Sequence, residues 1–215
     1  VGCVVVKNDR IIAYGFNHGY EETCQCSFET KNPHVLHAEE MALNGVDAEI
    51  YKDAELYVTY QPCIDCANLI ISKKIKAVFI THQHYDHFLG LEYLKNNNYS
   101  IEYLIHSPYE RRYSDNSVEY EEWDSFNTFV THFKNNGTKV YKPYRQNSFE
   151  NPWWQVSGLN VWIIGPETSI ATSDTRELHD ASLVFTLIGS RKCCFTGDAS
   201  DTSLNWIAAN TKNYC

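Results

Sequence analysis

No stretch of this 215-residue chain is apolar for long enough to span a bilayer. No secretory signal pattern is visible either, although an upstream start would hide one. Basic runs are missing too: 18 Lys and Arg stand against 27 Asp and Glu, for a formal net charge of -9. Broad electrostatic attraction to DNA or RNA, which needs clustered cations to displace counterions, is therefore not encoded; only a local groove could bind them. There is no internal repeat and no low-complexity tract. The eight cysteines suit a reducing cytosol better than a disulfide framework. These exclusions leave a soluble, cytoplasmic protein of one large or two small domains, with enough chain to bury real cores.

Two short motifs carry chemistry. The first is His37-Ala38-Glu39, followed by Pro62-Cys63-Ile64-Asp65-Cys66. One imidazole and two thiolates can hold zinc and leave one position for a water, whose pKa the metal lowers toward neutrality. Glu39 is not needed as a ligand and is available to shuttle protons. An isolated Cys-x-x-Cys could equally be a structural zinc clip or a redox pair; the added His-x-Glu and Pro argue against both. Around the motif, the segments Val1 to Val6 and Arg10 to Asn17 read as strands joined by Lys7-Asn8-Asp9. Leu56 to Tyr60 reads as a third strand, and Val35 to Asn44 and Cys63 to Ser72 have helical spacing.

This ensemble resembles the cytidine/deoxycytidylate deaminase family over residues 1 to 80, with an alternative boundary near 105. The resemblance implies a three-layer α/β/α domain with zinc on His37, Cys63 and Cys66 and Glu39 as the catalytic proton shuttle. It implies main-chain groups near Ala38 and Cys63 that hold the base, and Asn17 contacting the sugar. Two departures are the short stretch between Glu39 and Pro62 and the missing first helix before Val1. The implied reaction is hydrolytic deamination of a cytosine nucleotide, such as deoxycytidine monophosphate, to the uracil nucleotide and ammonia. The implied partner is a small-molecule nucleotide, and enzymes of this kind commonly form homo-oligomers.

The second motif is Thr81-His82-Gln83-His84-Tyr85-Asp86-His87, after the apolar strand Lys76 to Ile80 and before Gly90-Leu91, which opens a helix. Leu183 to Leu187 and Cys193 to Asp198 read as a hairpin. This set resembles the metallo-β-lactamase superfamily, which implies a partial αββα domain over residues 76 to 215. It also implies two further zinc ions, one on His82 and His84 and one on Asp86 and His87. Asp198 is the implied bridging carboxylate and His179 the next ligand; the residues around His179 resemble the DNA-uptake (competence) branch. The implied activity is binuclear hydrolysis of a phosphodiester, thioester or lactam.

Both resemblances claim the strand at 76 to 81. The superfamily's usual strands before its His-rich motif, and its last His after the Asp turn, have no counterpart here. The chain therefore reads as a fragment or a chimera, an intact deaminase site followed by a partial second metal domain that truncation could leave inactive. Elsewhere, Cys24, Cys26 and His34 could form a structural zinc site or a loop of unligated thiols. Cys3, Cys193 and Cys194 read as small core residues. Tyr120 to Asn135 carries Trp123, Phe126, Phe129, Val130 and Phe133 at helical spacing, a core-facing stripe, and Asn136-Gly137 ends the helix. Thr138 to Tyr141 reads as a strand, Val161 to Ile164 as a buried strand before a Gly165-Pro166 turn, and Trp153-Trp154 as a pocket rim or part of a hairpin.

Overall fold

β1 (Gly2–Lys7) and β2 (Arg10–Phe16) form the expected antiparallel hairpin, and Asn8 in its turn takes a φ of 48°, which asparagine tolerates better than most residues. The computed structural model describes residues 2–8, 10–19, 35–44, 48–51, 54–58, 63–72, 77–156, 159–188, 192–211 and 214. Cys24, Cys26, His34 and Pro62 lie outside these. β3 (His18–Gly19) pairs with β4 (Val35–Leu36), and α1 (Ala38–Leu43) begins only after His37, its N-cap. The helix expected from Val35 thus starts later, because Val35 and Leu36 are recruited into strand pairing. α2 (Ala48–Tyr51) leads into β5 (Glu55–Val58), which pairs with β1 to give the order β2-β1-β5. α3 (Ile64–Ser72) packs beside α1.

β6 (Ala77–Ile80) lies against β5 and starts a second sheet. α4 (Tyr85–Phe88) and α5 (Gly90–Asn96) lead to β7 (Tyr103–His106), and α6 (Tyr120–Asn135) leads to β8 (Lys139–Tyr141). The three strands are parallel in the order β6-β7-β8, each pair joined through helices as parallel pairing requires. β9 (Trp154–Val156), β10 (Leu159–Gly165), α7 (Thr168–Ala171), β11 (Val184–Ile188), β12 (Lys192–Phe195) and α8 (Asp201–Asn210) follow. Their strands make an antiparallel sheet in the order β12-β11-β10-β9, with β11 and β12 as the expected hairpin.

Strand alternation builds the layers. Phe79 and Ile105 turn inward to meet Val161, Ile163, Phe185, Leu187 and Phe195 of the other sheet, with Phe79 stacked on Phe185 at 4.7 Å. The opposite face of the parallel sheet, Ile80 and Leu104, is buried under Phe88, Leu91, Phe126, Phe129, Val130 and Phe133, which confirms the core-facing stripe of α6. Ile207 of α8 covers Trp162, Ile164 and Val184. The result is the αββα sandwich expected for this half, in a mixed α/β chain. β1 serves two cores at once. Cys3 and Val5 face Ala38, Ala42 and Leu43, while Val6 enters the sandwich interior with Val4 and Ile11 at its edge. Each such burial stabilises by roughly 1.5 to 3 kcal/mol, so the hairpin contributes materially to the sandwich.

One cysteine departs from expectation. Cys3 is buried, but Cys194 is exposed: β12 is an edge strand, and alternation turns Cys194 outward between Cys193 and the buried Phe195. Trp153 and Trp154 fulfil both readings, since they open the β9 hairpin and line a 250 Å³ cavity with Tyr103, Ile105 and Tyr141.

Candidate metal centres

The first centre is built at the starts of α1 and α3. His37 caps α1, and the Glu40 carboxylate accepts the His37 N–H at 3.1 Å, so the helix start is held by its own first turn. Cys63 directly precedes α3 and Cys66 lies in its first turn. His37 Nδ1 lies 3.3 Å from Cys63 Sγ and 3.4 Å from Cys66 Sγ, and all three residues are buried. Zinc bonds of about 2.0 Å to nitrogen and 2.3 Å to sulfur span tetrahedral edges of roughly 3.5 Å, so the three donors fit zinc. A hydrogen bond from the Cys66 thiol holds Cys63 down to about 5, and the same bond holds Cys66 up. Of the two, Cys63 is thus the sulfur held toward the thiolate, while Cys66 keeps the proton.

Glu39, only 2% exposed, stands beside these donors. Burial pushes its carboxyl up, against the lowering effects of its backbone hydrogen bond and of His37. Asn17 joins the site through its side-chain oxygen, which accepts the Ala38 N–H at 3.0 Å. Gly15 explains how α1 comes this close to β2: a Cβ there would stand 1.9 Å from the Ala38 carbonyl oxygen.

The second centre lies beyond the C-terminal end of β6. His82, fully buried, is shared by two groupings whose ligand atoms lie within 4.8 Å of one another: His82 with His84 and His179, and His82 with His87 and Asp198. In the first, each pair of rings is 5.0 or 5.1 Å apart by centroid. In the second, Asp198 Oδ2 lies 3.9 Å from His82 Nε2 and 3.6 Å from His87 Nε2. Asp86, expected beside His87, approaches its Nε2 at 3.5 Å but is half-exposed and belongs to neither grouping. His87 also turns to Asp198, and His82 serves both groupings. Burial and the neighbouring imidazoles hold His82 down to about 2, so it stays neutral and able to ligate. The Nε2 atoms of His82 and His179 are buried with no hydrogen-bond partner among the described residues, as donors awaiting a cation would be. The donor set fits a pair of borderline metals.

Thr81 is a contributor the motif reading passed over. Its hydroxyl lies 3.1 Å from His82 Nδ1 and 3.4 Å from His87 Nδ1, and its carbonyl accepts the Leu183 N–H at 2.8 Å. Its position directly before the first His was the available signal. Gly197, at a φ of 53°, lets the Asp198 turn press on Thr81, where a Cβ would stand 2.6 Å away. A second unforeseen group is the loop before α6. Asp115, 3% exposed, accepts hydrogen bonds from Tyr109 and from both the amide and hydroxyl of Ser117. Burial pushes its carboxyl up, but these hydrogen bonds outweigh burial and hold it below the ordinary carboxylate range. A group depressed on folding stabilises above its unfolded pKa and loses that stabilisation as pH falls through the folded value. Asp115→Asn should therefore cost about 1 to 2 kcal/mol at neutral pH, a gap that narrows below about pH 4 in thermal melts.

Comparison with known proteins now adds to the geometry. Residues 1–82 match the model for the cytidine and deoxycytidylate deaminase zinc-binding region, and residues 67–206 match that for the metallo-beta-lactamase superfamily. The two ranges overlap across α3 and β6. Human deoxycytidylate deaminase is 32% identical over 95 residues, covering 39% of this chain and 53% of that protein. A tRNA-specific adenosine deaminase subunit from Schizosaccharomyces pombe is 35% identical over 83 residues, covering 37% and 19%. The chain spans about half the length of the first of these curated relatives. Among solved structures, the dCMP deaminase of cyanophage S-TIM5 in complex with dCMP and dUMP aligns at 25% identity and a TM-score of 0.30, over 66% of this chain and 79% of that one. No helix among the described residues is long and apolar enough to cross a membrane.

Proposed function

Because this chain belongs to the metallo-beta-lactamase superfamily over residues 67–206 and carries a cytidine and deoxycytidylate deaminase zinc-binding region over residues 1–82, we propose that its first centre deaminates a cytosine nucleotide, with deoxycytidine monophosphate as the substrate. The observation that carries this reading is the convergence of His37, Cys63 and Cys66 beside the buried, non-ligating Glu39. Zinc, when bound there, supplies the acidity that makes a water nucleophilic near neutral pH. Glu39 takes the proton of the water that attacks C4 of the ring. It gives that proton to N3, then takes a second from the new hydroxyl on C4 and gives it to the amine as the C4–N bond breaks, so that a C4 carbonyl forms and ammonia leaves. A carboxyl pushed up by burial suits this two-way traffic, since it accepts and releases protons closer to neutral pH. The Ala38 amide anchors the Asn17 side chain by its oxygen, so the Asn17 amide nitrogen is the end offered to a sugar hydroxyl. Main-chain groups around Cys63 hold the base. A cytosolic homo-oligomer acting on a free nucleotide completes the reading. Its test is the appearance of the uracil nucleotide and ammonia from deoxycytidine monophosphate; a folded, zinc-loaded chain that yields neither overturns it.

The clustering of three histidines and Asp198 around His82 favours a second reading beside the first: a binuclear metal centre of hydrolase type, reaching phosphodiester, thioester or lactam substrates. Here His82, His84 and His179 hold one ion, and His87, Asp198 and Asp86 contribute to the other. Metal content should then exceed one equivalent per chain. His84→Ala and Asp198→Ala should each remove metal while leaving the zinc on His37, Cys63 and Cys66. Elemental analysis of dialysed protein decides the matter, and a single equivalent unmoved by either substitution sinks the binuclear reading.

A further inference from the structure

A neutral imidazole has one N–H and one lone pair, and which nitrogen carries which decides how it binds a metal. His84 Nε2 lies 2.9 Å from the main-chain oxygen of Ser117, an atom that can only accept. Nε2 therefore bears the hydrogen, and Nδ1 keeps the lone pair for the cluster with His82 and His179. Metal-bound histidines characteristically donate their other N–H in this way.

The hydroxyl of the same serine reaches a second ligand segment. Ser117 Oγ accepts the Leu178 N–H at 2.7 Å, and Leu178 directly precedes His179. The hydroxyl hydrogen goes to Asp115 Oδ1 at 2.6 Å, and the Ser117 N–H goes to the same oxygen at 2.9 Å. Asp115 is itself fixed by the Tyr109 hydroxyl and lies 3.8 Å from Arg112. His179 is held from its other side, where its carbonyl accepts the Ser200 N–H at 3.2 Å, two residues beyond Asp198.

We propose that Ser117, locked by Asp115, is a positioning residue of the second centre: it sets the nitrogen through which His84 binds metal and the spacing of His84 from His179. The assignment rests on the metal-centre reading of that cluster. Ser117 touches no reacting atom; it acts through the two ligands, one held by its carbonyl and the other by its hydroxyl. No motif marks it, because it lies in the loop before α6, 33 residues from His84 and 61 from Leu178 in the chain.

Cobalt(II) titration of the full chain tests this. The first centre offers two thiolates and reports through a near-ultraviolet thiolate charge-transfer band, whereas the second offers only nitrogen and oxygen and reports through weaker visible bands. Ser117→Ala and Asp115→Asn should each weaken cobalt binding at the second centre by about 10- to 100-fold, with the thiolate band unchanged. Ser117→Thr, which keeps the hydroxyl, should restore it. Imidazole nitrogen shifts of the metal-free wild type should show His84 as the Nε2–H form. That measurement stands even if Ser117→Ala fails to fold. Wild-type affinity in both Ser117→Ala and Asp115→Asn, or an Nδ1–H form of His84, overturns the positioning role alone. A wild type that takes up no cobalt removable by His84→Ala defeats the metal-centre reading and the proposal together.

Discussion

Glu39→Ala is expected to abolish deamination of deoxycytidine monophosphate, with kcat falling roughly 10² to 10⁴-fold, while the chain keeps its zinc. The two halves of that expectation have separate causes. Zinc retention follows from ligation, since His37, Cys63 and Cys66 converge without the carboxylate. Loss of turnover follows from proton transfer: no other acidic side chain is assigned to carry the proton from the water to N3 and the leaving amine. Folding should survive, because alanine is a good helix former in the first turn of α1 and removal of a buried carboxyl relieves a desolvation cost. Product assay and zinc analysis on the same preparation separate the outcomes. Normal turnover would remove Glu39 from the chemistry, and lost zinc would make it a ligand or a structural support.

Gly15→Ala should be as damaging, although Gly15 touches no substrate. The new Cβ would stand 1.9 Å from the Ala38 carbonyl oxygen and 2.9 Å from the Ala42 amide nitrogen. Both are backbone atoms of α1, so no flexible side chain can move aside; the helix itself must shift. His37 and Glu39 ride on that helix. We expect a loss of at least about 3 kcal/mol of stability together with loss of zinc from the first centre. Gly90→Ala is the control. Its Cβ meets nothing within 4 Å, and its effect should stay within about 0.5 kcal/mol. Denaturant melts and zinc content of the two variants check the contrast, and a Gly15→Ala chain as stable and as zinc-loaded as wild type refutes the packing argument.

Much of the first centre could be read from the chain because its chemistry is local. His37 and Glu39 are two residues apart, Cys63 and Cys66 three, and a helix start turns such spacings directly into geometry. The second cluster was readable only where it is local in the same way, at His82, His84 and His87. His179 and Asp198 were reached by resemblance, and the way the ligands divide differs because His87 turns to Asp198 as well as to Asp86. Ser117 and Asp115 were out of reach: their partners come from distant loops, and a serine in a polar loop has no pattern of its own. The α6 stripe was readable because period 3.6 survives burial. Leu36 was misread as helical because two residues cannot signal a strand, and pairing with β3 decided them. Cys194 failed for the opposite reason, since knowing that a residue lies in a strand does not say which face it takes or whether that strand is an edge.

β1 contributes Cys3 and Val5 to one interior and Val6 to the other, while β6 follows the helix that carries Cys66 and ends at the histidine cluster. A seam of that kind is not a cut point. Excising either unit would strip the other of greasy surface it has no means to replace. The two candidate centres therefore cannot be traded as cassettes between chains: they come as a package, and a change that reshapes one side of the seam is inherited by both.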